Sequence, residues 1–283
     1  MSQREQIIIT LTSWSARINN IPVVLESIYN QTVRPDKVVL NLSIGEVLSS
    51  DFEHYIDEHQ IEVNYVPDIK VYKKLIPTLC KYPNACVINI DDDCVYPNGM
   101  IEEFITLHKK YPNFPISGNR VIFYGLQCHC GCASLTKYDY FGDRLKSIDD
   151  EMINSCPSDD MVLTYIATLN GHPYIHTYNL YFENLVSESL ETQPYSKMVV
   201  TPQNGIERTY EYLVHRLGPL PICMGAYTND NYLSEHINNL ISNKMKYEEI
   251  VCRQTAEAKI RSTYAYRLGK FILSPLKWIK NIL

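Results

Sequence analysis

ACVINIDDDCVYPNGM, residues 85–100, joins a short apolar run to three consecutive carboxylates. Ala85 to Ile90 is bounded by Pro83 before it and by Asp91, Asp92 and Asp93 after it, the pattern of a buried strand that ends in concentrated negative charge. Side chains alternate along a strand, so Asp91 and Asp93 point to one side. Two carboxylates so placed hold a Mg²⁺ or Mn²⁺ ion through oxygen and leave positions for a diphosphate. The plainer reading is a solvated acidic turn closed by Tyr96-Pro97-Asn98-Gly99, since short acidic motifs often match by chance. Position favours the ion: the preceding chain alternates strand-like and helix-like segments, and ligands of such sheets bind at the carboxyl ends of the strands.

That alternation starts at Ile7 to Leu11, a β-branched run followed by the hydroxyls of Thr12-Ser13-Trp14-Ser15. Asn19 or Asn20 is placed to cap a helix from Ile21 to Asn30, with Pro22 in its first turn. Lys37 to Leu42 and Ile61 to Val66 read as strands around a short helix from Asp51 to His59. Lys73 to Tyr82 reads as a helix that Pro77 keeps short or kinks. Beyond the aspartates, Asn98 is placed to cap a helix to Tyr111 with Met100, Ile101, Phe104, Ile105 and Leu107 mostly inward, and strands follow at Ile116 to Ser117 and Arg120 to Tyr124. The expected fold class is α/β, a mostly parallel sheet flanked by helices. Neither G-x-G-x-x-G nor G-x-x-x-x-G-K-[ST] occurs, which argues against an ordinary dinucleotide or P-loop site.

With 283 residues, 45% of them hydrophobic, the chain is long enough for one large domain or two small ones with a real core. A net charge of −6 gives no sign of a nucleic-acid partner. No apolar run approaches eighteen residues and the opening MSQREQIIIT lacks a signal-peptide pattern, so cytoplasmic residence is expected. The nine cysteines suit reduced thiols better than a disulfide framework. Cys128-His129-Cys130-Gly131-Cys132 offers soft ligands for zinc, yet its spacing is not that of a structural zinc site, and no second pair follows it. Ser158-Asp159-Asp160 precedes an apolar segment, Met161 to Leu169, where acidic residues are favourable simply as caps and through the helix dipole. From Tyr264 to Leu283 there are four basic residues and no acidic one, so the rest of the chain carries −10. Arg267, Lys270, Lys277 and Lys280 fall opposite an apolar helical face. That suits an anionic membrane surface, with packing against the body as the competing explanation.

Four segments in order carry a resemblance: TLTSWSARINNIPVVLESIYNQTVRPDKVVLNLS from Thr10, DIKVYKKLIPTL from Asp68, INIDDDCVYP from Ile88 and CPSDDMVLTYIATLNG from Cys156. They cover most of residues 7–171, and in them the chain resembles bacterial glycosyltransferases of the GT-A fold, inverting and family-2-like, that assemble polysaccharide and lipopolysaccharide. The resemblance implies a D-x-D site in which Asp93 is the direct metal ligand, Asp91 contacts donor or metal and Asp92 lies beside them. It implies Mn²⁺ or Mg²⁺ as cofactor. It places Thr12, Ser13 and Arg17 on the nucleotide's base side and Asp68 and Lys74 near the nucleotide or diphosphate, Lys73 being an equal candidate. Asp159 and Asp160 are similar to the acidic pair of inverting enzymes, whose second member is the general base. Where related sequences are glycine-rich with Trp or Tyr near the acceptor, this chain has Cys128 to Cys132, so the acceptor stays open.

These readings give an expected division into residues 1–125, a nucleotide-sugar-binding half; residues 126–245, an acceptor-binding half of the same domain; and residues 246–283, an amphipathic helical tail. The expected activity is transfer of a sugar from a nucleotide diphosphate, UDP first, to a hydroxyl of a bacterial surface glycan or lipid-linked precursor, by a hexosyltransferase peripherally attached to the inner face of the plasma membrane. Asp160 takes the acceptor's proton, which implies inversion, with retention as the open alternative. Two rivals stand beside it: a sugar-phosphate nucleotidyltransferase, which would want a glycine-rich basic loop that TLTSWSAR is not, and a non-catalytic membrane-attached member of a glycan assembly complex.

Overall fold

The computed structural model describes residues 4–118, 120–123, 126–129, 133–177, 180, 183–185 and 202–220. Its frame is set by four short β-branched runs, β1 (Ile7–Thr12), β2 (Lys37–Ser43), β3 (Glu62–Val66) and β4 (Cys86–Ile90), separated by α1 (Ile21–Tyr29), α2 (Ser50–Glu58) and α3 (Ile76–Lys81). After the acidic turn come β5 (Cys94–Val95), α4 (Met100–Lys110), β6 (Ile116–Ser117), β7 (Arg120–Phe123), β8 (Leu126–His129), β9 (Ala133–Thr136), α5 (Tyr138–Phe141), α6 (Asp150–Ser155), α7 (Asp159–Leu169), β10 (Ile175–His176), β11 (Glu183–Asn184) and α8 (Pro202–Leu217).

Seven strands make one sheet in the order β10-β6-β9-β4-β1-β2-β3, with β5·β11 and β7·β8 as separate antiparallel pairs. All neighbours in the large sheet are parallel except at β9, which runs antiparallel to β4 and β6. The expected mostly parallel, helix-flanked sheet is therefore present. The chain builds outward from β1 to β3, then returns to β1's other side to lay down β4. This creates a switch point between β1 and β4, the place where such sheets bind ligands.

Both faces of β1 are covered, which is why its sequence is apolar without alternation. Ile7, Ile9 and Leu11 pack with α1, α2 and α4, whereas Ile8 faces Tyr72, α3 and α7. On the second face a buried polar net ties strands to the segment before α3. Thr10 Oγ1 donates to the Lys74 carbonyl at 2.7 Å, Asn41 Nδ2 donates to Thr10 and Thr78 at 2.9 Å each, and Asn64 donates to Asn41. Buried polar groups satisfied in this way fix a single arrangement.

Several local expectations are corrected. The helix expected from Lys73 is a 3-10 turn, Lys70–Lys74, followed by α3. Pro77 sits in the first turn of α3, where its missing N–H costs nothing. Asn20 and Asn98 make no caps: Asn20 makes no side-chain capping bond, and the amide of Ile101 in α4 donates to Gln31 Oε1, 3.1 Å away on the segment after α1. The inward stripe of α4 is Met100, Ile101, Phe104 and His108, with Ile105 and Leu107 only partly covered. The side chains of residues 128–132, and the whole of residues 246–283, lie outside the described residues. The four cysteines whose side chains are described, Cys80, Cys86, Cys94 and Cys156, are free. No helix among the described residues is long and apolar enough to cross a membrane.

Candidate functional site

Three elements end at the switch point. β1 delivers Ser13 and, through the turn after it, Arg17; β4 delivers Asp91, Asp92 and Asp93; α7, from the far side of the fold, brings Asp159 and Asp160 in its first turn. Lys74 reaches between them from the 3-10 turn that Thr10 anchors.

Arg17 closes one side. Its Nη2 lies 2.6 Å from Asp92 Oδ1 and 2.6 Å from Asp93 Oδ2, and Ser13 Oγ donates to Asp92 Oδ2 at 2.6 Å. Burial raises the Asp92 carboxyl against the pull of Arg17 and Ser13. Asp92 is thus a buried, fully engaged carboxylate rather than part of a solvated turn. The backbone is pinned as well: the Asp91 amide donates to Tyr96 Oη at 2.8 Å, and the Leu185 amide donates to the Asp93 carbonyl at 2.8 Å.

Lys74 closes the other side. Its Nζ lies 3.2 Å from Asp91 Oδ1, 3.2 Å from Asp159 Oδ2 and 3.9 Å from Asp160 Oδ1. Burial disfavours the ammonium, but the carboxylates of Asp159, Asp91 and Asp160 outweigh it and hold its pKa well above the usual lysine value. Asp91 is pushed up to about 7, chiefly by burial, with Lys74 opposing and Asp93, Asp160 and Asp159 adding to the rise. The two members of the acidic pair differ in access, Asp159 being 5% exposed and Asp160 20%. Ser158 occupies the cap position of α7 without a side-chain capping bond, while Asp159 and Asp160 lie in the first turn, where the helix dipole favours them.

Among the described residues, Arg17 and Lys74 are the cations placed against Asp91, Asp92, Asp93, Asp159 and Asp160, a concentration of carboxylates that suits a divalent ion. Asp91, Asp93 and Cys94 each offer one ligand atom, all within 4.8 Å of one another. Two hard carboxylate oxygens suit Mg²⁺ or Mn²⁺, and the buried Cys94 thiol beside them tilts the set toward the softer of the two. As a ligand, Cys94 carries no sequence signal beyond its adjacency to the aspartates.

Of the other expected residues, Thr12 donates its hydroxyl to the Asn41 carbonyl at 2.7 Å, tying β1 to β2. Asp68, mostly exposed, pairs with Lys73, which also donates to Ser43 Oγ at 2.7 Å. The adjacent lysines thus part company: Lys74 joins the aspartates and Lys73 does not. Next to Lys73 and Asp68, Ser43 borders an open cavity of about 450 Å³ that is also lined by Ser15, Ile44, Gly45, Glu46 and Val47.

No family model and no curated protein matches the chain. S. aureus TarS is similar at 11% identity and a TM-score of 0.48 over 79% of this chain and 44% of its own. A 4-diphosphocytidyl-2C-methyl-D-erythritol synthase is similar at 11% identity and a TM-score of 0.39 over 53% of this chain and 83% of its own. Both scores are too low to bear on the fold. The mannosyltransferase PcManGT from Pyrobaculum calidifontis, solved with GDP-Man and Mn²⁺, matches over 99% of this chain and 88% of its own, with a TM-score of 0.59 at 12% identity. At that identity the likeness is one of architecture, and together with the strand order it gives this chain a GT-A, Rossmann-like fold.

Proposed function

We propose that this protein is a metal-dependent glycosyltransferase that moves a sugar from a nucleotide-diphosphate donor to an acceptor hydroxyl with inversion. The observation that carries the reading is the convergence of Asp91 and Asp93 from β4 with Lys74 and the α7 pair at the switch point. Asp91 and Asp93 would hold the divalent ion, which when bound supplies charge stabilisation for the departing diphosphate.

The chain's own residues supply the rest. Asp160, the more accessible of its pair, takes the proton of the acceptor hydroxyl as that oxygen bonds to the anomeric carbon and the bond to the diphosphate oxygen breaks. A base so positioned is worth roughly 10²- to 10⁴-fold in rate. Asp159, nearly inaccessible, holds Lys74 in place. Arg17 orients Asp92 and Asp93, and with Lys74 it offsets the charge that builds on the leaving group. The base and ribose of the donor, with UDP first and GDP second, lie toward Ser13 and the cavity at Ser15, Ser43 and Val47. The acceptor is a surface glycan or lipid-linked precursor, presented at an anionic membrane that the basic tail engages.

A donor panel including UDP-hexoses and GDP-mannose, assayed with Mn²⁺ and simple saccharide acceptors, tests this. The anomeric configuration of the product, read by NMR, is expected to be opposite to that of the donor. Retention would remove Asp160 from its role.

A further inference from the structure

The end of the sheet remote from the aspartates holds a second convergence that the proposed reaction does not use. Glu5 precedes β1, Cys86 opens β4, and His108 lies on the inward stripe of α4. One atom from each lies within 4.8 Å of the others. Cys86 opens β4 and Asp91 follows its last residue, about 16 Å away at 3.3 Å per residue, so this cluster is separate from the candidate active site.

Two features mark it as more than a hydrogen-bonded anchor. The first is the way His108 is held. Tyr140 Oη donates to the Pro112 carbonyl at 2.9 Å and lies 3.3 Å from His108 Nδ1, so Tyr140 occupies one ring nitrogen while Nε2 faces Glu5 Oε2, 3.2 Å away. A ring nitrogen, a carboxylate oxygen and a thiol sulfur gathered in this way are a transition-metal donor set. The second feature is spacing. Bonds of about 2.0 to 2.3 Å at tetrahedral angles put a metal-bound carboxylate oxygen about 3.3 Å from an imidazole nitrogen and about 3.5 Å from a thiolate sulfur. Here Glu5 Oε2 lies 3.2 Å from His108 Nε2 and 3.4 Å from Cys86 Sγ.

We propose that Glu5 Oε2, Cys86 Sγ and His108 Nε2 form a site for a zinc-class transition-metal ion, with the fourth position open to water. Tyr140 orients the imidazole through Nδ1, as the outer partners of metal-bound histidines do, and Lys137 holds the free oxygen of Glu5. The ion joins the segment entering β1, the start of β4 and helix α4. Its role is therefore structural.

Co²⁺ alone, added to the full chain freed of metal, is the probe, because a thiolate ligand gives an intense near-ultraviolet charge-transfer band. The background carries Cys94→Ser, Cys128→Ser, Cys130→Ser and Cys132→Ser, so that neither the aspartate site nor the Cys128–Cys132 cluster contributes a thiolate band. One equivalent of Co²⁺ is expected to give the band. Cys86→Ser is expected to abolish it, and His108→Gln to weaken binding at least 100-fold. Tyr140→Phe should weaken it about 10- to 100-fold. Circular dichroism verifies that each variant is folded; should Cys86→Ser fail to fold, Glu5→Gln takes its place, with the same loss of affinity expected. A quadruple-serine protein that shows no band, or a band that persists undiminished in folded Cys86→Ser, overturns the proposal and leaves the cluster as a hydrogen-bonded anchor. Activity plays no part in the readout, so failure here and failure of the transferase reading are distinguishable.

Discussion

Replacing Lys74 with methionine removes the cation that three carboxylates share while keeping the length and apolar volume of the side chain. Lys74 is only 8% exposed and its ammonium sits 3.2 Å from both Asp91 and Asp159. Breaking a buried ion pair from one side leaves uncompensated charge and costs about 3 to 5 kcal/mol. Asp91, already pushed up to about 7, takes up a proton more readily than the others, which places the expected loss near the lower figure. At roughly 2 to 4 °C per kcal/mol for a domain of this size, the midpoint should fall by about 6 to 20 °C. Adding Asp159→Asn removes one orphaned charge, so the double variant should recover about 1 to 3 kcal/mol relative to Lys74→Met alone. Lys73→Met is the internal control: its partner Asp68 is 64% exposed, so its loss should stay below about 1 kcal/mol. Urea unfolding followed by circular dichroism, in EDTA to exclude metal, measures all four proteins. The reasoning fails if Lys74→Met costs less than about 1 kcal/mol, or if Asp159→Asn deepens the loss instead of relieving it.

Asp93→Ala should abolish Mn²⁺-dependent donor hydrolysis, measured as free nucleotide diphosphate; hydrolysis unchanged in the variant would defeat the metal assignment. Asp160→Asn should lower the transfer rate by roughly 10²- to 10⁴-fold while leaving donor affinity by calorimetry within a few-fold. Asp159→Asn should act instead through stability, because its carboxylate is nearly inaccessible. Burial alone would raise the Glu62 carboxyl, yet hydrogen bonds from Lys37, Tyr82 and Lys81 hold it at about 2, below the ordinary 4.5. Its contribution is therefore fully present above pH 4.5 and is lost as pH falls toward 2; Glu62→Gln should cost about 1 to 3 kcal/mol at pH 7, with the two stability curves converging near pH 2. Deleting residues 264–283 should release the protein from anionic vesicles in a sedimentation assay with modest loss of donor hydrolysis, and equal sedimentation would refute the role given to the tail.

Signals that depend on local periodicity were readable before the fold was known. The apolar runs at Ile7, Lys37, Ile61 and Ala85 had to be strands, and an acidic triplet ending the last of them had to lie at the rim of the sheet. What sequence could not supply was the choice between neighbours, because adjacent residues leave a strand end or a 3-10 turn in different directions. Lys73 and Lys74 look equivalent on paper, but Thr10 fixes the carbonyl of Lys74, so one ammonium turns to Asp68 and the next to Asp91. Asp159 and Asp160 differ in the same way by where the first turn of α7 meets the body of the fold. The reversed strand β9 was equally hidden: it pairs with β4 and β6 from a point far along the chain, and four residues carry no mark of direction.

The missed groups share a cause. Gln31, Cys94 and His108 each act on an element remote in sequence or on a site defined by other residues, so no periodicity announces them. His108 is the clearest case, since its position in the apolar stripe of α4 reads as a satisfied core histidine. It becomes informative only when its neighbours are placed, because Tyr140 at Nδ1 leaves Nε2 to face Glu5 beside Cys86. A site of this kind is legible from its hydrogen-bond bookkeeping, not from the order of its residues.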